Sequence, residues 1–126
     1  LAQSGVYDGM RFHRVVKGFV IQSGHLPTRA PLSETQQKYV RQMKAEFNDQ
    51  AHDKGTLSMA RLADDDSAST SFFIVTARAQ ALDGKYTAFG RVESGLDVVE
   101  KIEAVAVNGE EPVQRVELRK VTLIKK

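Results

Sequence analysis

The chain has 126 residues, 41% hydrophobic and 27% charged, with 18 Lys+Arg against 16 Asp+Glu and a net charge of +2. This is the length of one domain with a buried core, and the scattered, nearly balanced charge excludes nucleic-acid binding through bulk basicity. Cysteine is absent, which excludes disulfides, thiolate catalysis and cysteine metal sites together, and no apolar run approaches the roughly 20 residues that span a bilayer.

Taken in order, Leu1-Ala2-Gln3-Ser4-Gly5 reads as the last turn of a helix closed by glycine. We therefore expect residues upstream of Leu1, in which a signal or anchor would go unread. After an Asp8-Gly9 turn, Phe12 to Gly24 holds two short apolar runs around Lys17-Gly18. That pattern predicts a β-hairpin with strands near 10–16 and 19–23. The stretch 24–31 is loop. Ser33-Glu34-Thr35-Gln36 fits a capping box, and Tyr39, Val40 and Met43 follow as a narrow apolar stripe. A helix is expected over about 34–44, inside a probable insertion spanning 26–50.

Gly55 to Ala60 alternates and reads as a strand. Leu62 to Thr70 is a loop containing Asp64-Asp65-Asp66. Ser71 to Val75 is a compact strand of high β-propensity, and Tyr86 to Val92 is another. Ser94-Gly95-Leu96-Asp97 reads as a second capping box, followed by Leu96, Val99, Ile102 and Val105 at helical spacing, so a helix is expected over 95–104. Asn108-Gly109 is a turn. Val116 to Ile124 is a last strand, with a phase slip at Arg119-Lys120 that suggests a bulge. About six strands and two helices, with loops between neighbouring strands, point to a mainly β fold: an antiparallel sheet or barrel with helices at its ends.

The usual catalytic templates fail. His13, His25 and His52 stand at no metal-ligand spacing and read as surface or packing residues. There is no nucleophile elbow and no phosphate loop before a helix. Asp64 to Asp66 lacks the spacing and glycine of a calcium loop, so it reads as a solvated acidic loop. What stands out is the cargo of the hairpin. Arg14 and Gln22 sit among apolar residues on pairing strands. An apolar surface with a few convergent polar groups describes a binding site for a peptide or small molecule.

The same residues carry a resemblance. Phe12-His13-Arg14-Val15-Val16, Gly18-Phe19-Val20-Ile21-Gln22 and Gly24 are similar to the signature of the cyclophilin-type peptidyl-prolyl isomerases. Gly55-Thr56-Leu57-Ser58-Met59-Ala60, Ser71-Phe72-Phe73-Ile74, Leu82-Asp83-Gly84-Lys85-Tyr86 and Phe89-Gly90-Arg91-Val92 resemble further blocks of that family in family order. The short loop after Ala60 is similar to bacterial-type members.

The resemblance implies an eight-stranded antiparallel barrel with a helix at each end, of which about six strands are expected here, and a substrate groove on its outer face. It implies that Arg14 is the catalytic arginine. Phe19, Met59, Phe73 and Leu82 would line a proline pocket, and Gln22 would orient substrate and arginine. The backbone at Ala60 and Arg61 would bind peptide, with Tyr86 beside the pocket. It implies an isomerase that needs no cofactor or metal and assists folding by turning X-Pro bonds in peptides and unfolded clients. The alternative is a module that grips proline peptides without turning them over.

Departures from the family pattern are Ala81 where Trp is frequent, Ser71 for Gln, Arg61 for Asn, and Ser23 and His25 for Gly and Asp. Ala81 leads us to expect weak cyclosporin binding. No nucleic-acid partner and no membrane segment are expected, and the compartment, cytoplasmic or periplasmic, stays open.

Overall fold

A five-stranded antiparallel sheet carries the molecule. In the computed structural model the residues described are 5–25, 29–38, 40, 42, 51–61, 70–122 and 124. The strands are β1 (Met10–Arg11), β2 (Arg14–Val16), β3 (Val20–Ser23), β4 (Thr56–Met59), β5 (Phe72–Val75), β6 (Ala88–Arg91), β7 (Val107–Asn108), β8 (Glu111–Pro112) and β9 (Glu117–Leu118). Two helices, α1 (Glu34–Gln37) and α2 (Leu96–Glu103), and a 3-10 turn at Gln80–Leu82 complete the described elements. The sheet runs β2-β3-β5-β4-β6, flanked by the two-stranded ladders β1-β9 and β7-β8. All pairings are antiparallel, as the sequence predicts.

The chain turns a corner between β1 and β2. The Phe12 amide donates to Val116 O at 2.9 Å, on the β9 side, while the next amide, His13, donates to Gln22 O at 3.1 Å, on the β3 side. One residue step thus moves the strand from one ladder to the other, and the sheet wraps. The hairpin forms where expected. Lys17-Gly18-Phe19 makes its turn, closed by Phe19 N–H to Val16 O at 3.0 Å, with Gly18 at φ 73°, a left-handed conformation that favours glycine. Gly24 ends β3 at φ 92°, where a Cβ would lie 2.3 Å from Thr70 O. Only glycine fits that approach.

Because side chains alternate across a strand, register sorts the sheet into two rows. Val15, Ile21, Ile74 and Leu57 stand opposite one another across four strands. They face α2, and Phe12, Val15, Ile21, Ile74 and Val99 form the buried core, with Leu57, Phe72, Ile102 and Val105 packed on it. The adjacent row is Arg14, Gln22, Phe73 and Ser58. It faces the other way, and with it lies a second cluster, Val20, Phe73, Val75 and Ala79.

Several expectations shift in detail. The Ser33 capping box forms both its hydrogen bonds, but α1 is only four residues long and buries none of them. Tyr39 and Met43, which carried the expected stripe, lie outside the described residues, as do Phe47, Asp64 to Asp66, residues 1–4 and much of the 26–50 segment. The Ser94 capping box does not form: α2 starts from Gly95 in a left-handed conformation at φ 87° without a side-chain cap. The last strand pairs only over Glu117–Leu118 and ends before Arg119, so no bulge interrupts it. The turn expected at Asn108-Gly109 lies one residue on: Asn108 ends β7 and pairs with Glu111, and Gly109-Glu110 is the turn of the small β7-β8 hairpin.

Candidate functional site

The second row of the sheet opens onto a cavity of about 330 Å³ lined by Arg14, Phe19, Val20, Gln22, Ala60, Arg61, Phe73, Leu82 and Tyr86. Strand β2 supplies Arg14. The turn and β3 supply Phe19, Val20 and Gln22. Phe73 comes from β5, Leu82 from the 3-10 turn, and Ala60 and Arg61 follow β4. Eight of the nine residues singled out from the sequence are therefore brought together.

Met59 is the exception. It pairs with Phe72, and residues directly opposite in an antiparallel ladder share a face. Phe72 packs on the core cluster, so Met59 belongs to the core side and not to the cavity. Val20 takes a place on the wall instead. It lies two residues before Gln22, on the same face, and is 1% exposed. Alternation from Gln22 alone would have found it.

Arg14 is held from two sides. Its Nη1 donates to Gln22 Oε1 at 3.2 Å, while Nε and Nη2 donate to the two carboxylate oxygens of Glu110 at 3.1 and 3.3 Å. Beside it, the apolar floor is ordered by rings. Tyr86 meets Phe73 edge-on at 5.7 Å between centroids. The Arg61 guanidinium lies 4.5 Å above the Tyr86 ring, a cation–π contact, and its Nη2 donates to Lys85 O at 2.7 Å. The Ala60 amide is committed to Ser71 O at 2.9 Å, so at Ala60 it is the carbonyl that can take up a peptide main chain.

Behind the floor lies a polar chain that sequence reasoning missed. His52 is fully buried and stacks on Phe73 at 6.1 Å. Its Nε2 meets Ser58 Oγ at 3.0 Å and its Nδ1 meets Asp83 Oδ1 at 3.1 Å; its backbone N–H donates to the same oxygen at 2.7 Å. Asp83 also accepts from the Arg78 guanidinium, and these partners, Arg78 first and then the His52 amide, hold its carboxyl well below the usual carboxylate range. The ionised Asp83 is an acceptor for His52 Nδ1–H, and the other ring nitrogen faces the Ser58 hydroxyl. The order Ser–His–Asp is that of a hydrolase triad, but Ser58 and His52 are 0% exposed. The chain is a scaffold that ties β4 to the residue following Leu82, behind Phe73.

His13 precedes Arg14 in the corner between β1 and β2. Burial, followed by the neighbouring His25, Arg11 and Arg14 charges, lowers its pKa to about 4. It is neutral at pH 7, tilted against the His25 ring at 5.0 Å. No cluster of three or more potential metal ligands occurs among the described residues.

Known proteins resemble the chain over most of its length. The chain is 38% identical over 113 residues to peptidyl-prolyl cis-trans isomerase CYP23 of Arabidopsis thaliana, covering 87% of this chain and 50% of that protein. It is 35% identical over 128 residues to peptidyl-prolyl cis-trans isomerase-like 1 of Aspergillus oryzae, covering 98% of this chain and 77% of that one. The chain thus spans only half the length of the Arabidopsis relative. Among solved structures, a cyclophilin type peptidyl-prolyl cis-trans isomerase of Cryptosporidium parvum, determined in the presence of the dipeptide Ala-Pro, superposes with a TM-score of 0.86 at 25% identity, over 100% of this chain and 81% of that one. The family model described as cyclophilin type peptidyl-prolyl cis-trans isomerase/CLD matches residues 1–123, and the chain belongs to that family.

Proposed function

We propose that this domain is a peptidyl-prolyl cis-trans isomerase acting on X-Pro bonds of peptides and unfolded proteins, with Arg14 as its working charge. The observation that carries the reading is the Arg14 guanidinium, bonded to Gln22 at 3.2 Å, in a cavity of about 330 Å³ whose apolar wall is Phe19, Val20, Phe73 and Leu82. That volume lies at the small end of ligand sites and suits a proline ring. The bond to be turned is held planar by resonance, with a barrier of roughly 18–20 kcal/mol, and exchanges in tens of seconds or more when uncatalysed.

Rotation breaks conjugation and leaves a lone pair on the prolyl nitrogen. A guanidinium donor aimed at that nitrogen stabilises the twisted state more than either planar state, and such differential binding is what accelerates a reaction. Arginine suits the task because it stays charged and presents its donors in a fixed fork. Phe19, Val20, Phe73 and Leu82 grip the ring, and the rest of the peptide turns. No bond to the substrate is made or broken, so the buried Ser58–His52–Asp83 chain has no part as a nucleophile.

Exchange NMR on a short X-Pro peptide tests the reading. Catalytic amounts of the chain should bring cis–trans exchange from tens of seconds into the sub-second range. A peptide that binds but exchanges at its uncatalysed rate would make the domain a gripping module instead. Among inhibitors, the exposed Ala81 on the 3-10 turn gives weak cyclosporin binding. Ala81→Trp is expected to tighten it, measured by titration calorimetry; an unchanged affinity contradicts that role for position 81.

A further inference from the structure

We infer that Glu110, 96 residues from Arg14 in the chain, is a positioning residue for the catalytic arginine; the inference rests on the role proposed above for Arg14. A guanidinium has five N–H donors in a fixed fork. Nε and one Nη2 hydrogen go to the two oxygens of Glu110, and one Nη1 hydrogen goes to Gln22. Two hydrogens, one on each Nη, remain for substrate. Gln22 lines the cavity and Glu110 does not, so the carboxylate grips the arginine along its Nε edge from outside the cavity. A bidentate carboxylate fixes both the plane and the rotation of the guanidinium. A single amide acceptor cannot.

The backbone that carries this carboxylate is itself anchored. Val15 N–H donates to Glu110 O at 2.6 Å, one residue along β2 from Arg14. The next carboxylate, Glu111, pairs with Arg11 at 2.8 Å. The β7-β8 hairpin is therefore stitched to β2 at Glu110 itself and to β1 through Glu111, and Glu110 sits in the turn between β7 and β8. The pair is too exposed to be a stability device: the two side chains are 37% and 57% exposed, and such ion pairs contribute little to folding. What the pair changes is orientation. Arginine is a long side chain, half in solvent, whose donors must already point at the prolyl nitrogen when the bond twists. Holding two of its edges removes the rotamers in which they do not.

A double-mutant cycle with Arg14 tests this. Glu110→Ala is expected to lower kcat/KM 3- to 10-fold through kcat with KM unchanged, and Glu110→Gln, which keeps one acceptor, to lose less. On an Arg14→Ala background, Glu110→Ala should change the remaining rate by less than 1.5-fold. Melting temperatures read alongside should stay within the scatter of repeat measurements. A Glu110→Ala enzyme at or above the wild-type rate overturns the inference, as does the same loss on both backgrounds. If Arg14→Ala alone leaves the rate untouched, it is the assignment of Arg14 that fails.

Discussion

Two rows of side chains, one residue apart on the same strands, do opposite work. Val15, Ile21, Ile74 and Leu57 hold the fold; Arg14, Gln22, Phe73 and Ser58 hold the site. The first row packs on α2 and is apolar throughout. The second mixes a cation, an amide, a ring and a hydroxyl; its polar members find partners within the row, just behind it and, for Arg14, also at Glu110 beside it. The period of two in a strand makes this separation possible. A rigid apolar face fixes the backbone, and the backbone then places polar groups on the other face without loops having to order them.

Substitutions can break the comparison from either side. On the fold row, Ile21→Ala should cost the most stability, about 2–5 kcal/mol, because Ile21 is 0% exposed in the middle of the sheet. Chemical denaturation would measure it, and the rate per folded molecule should stay near wild type. An Ile21→Ala protein that keeps its stability would show that the core lies elsewhere.

Smaller in effect is His52→Leu. It leaves the buried Ser58 hydroxyl without its partner and removes one from Asp83, at about 1–3 kcal/mol. Since His52 also backs Phe73, peptide affinity should weaken together with stability, which a paired melt and titration would show. Loss of stability with unchanged affinity would sever the scaffold from the pocket floor.

The smallest effect is one of pH. His13 binds its proton less well folded than unfolded, about 4 against an ordinary 6.5. Its contribution to stability is thus fully present above about pH 6.5 and is lost as pH falls from there toward 4. His13→Gln should flatten the fall in urea midpoint between pH 7 and pH 4.5. An equal fall in both proteins would mean that His13 is solvated.

Much of this was legible in the sequence, and the rest was hidden for identifiable reasons. The hairpin announced itself through Lys17-Gly18 between two apolar runs, and Arg14 and Gln22 through being polar within them. Their place on pairing strands allows one shared face, and the register that sets Arg14 opposite Gln22 provides it. Met59 is an apolar side chain in a family block, but its pairing with Phe72 puts it on the core side. A valine in a strand reads as core, and Val20 is both core and wall.

Ser94 has the residue type of a helix cap, but the helix starts at Leu96, so Gly95, which has no side chain, holds the cap position and Ser94 lies one residue outside it. Two features could not be read at all. Ser58, His52 and Asp83 form one chain from three segments, and Glu110 reaches Arg14 across 96 residues. Contacts of that separation come from sheet topology, which no local pattern encodes.

If the fold row and the site row are separable and Arg14 is the working charge, Arg14→Ala should remove the rate alone, with cis–trans exchange, peptide affinity and thermal melting measured on one sample. The rate should fall about 10²–10³-fold, the loss typical of removing a donor aimed at developing charge, with the melt nearly unchanged and the peptide still bound. An Arg14→Ala protein that is stable, binds peptide and turns it over at the wild-type rate would rule out that role for Arg14.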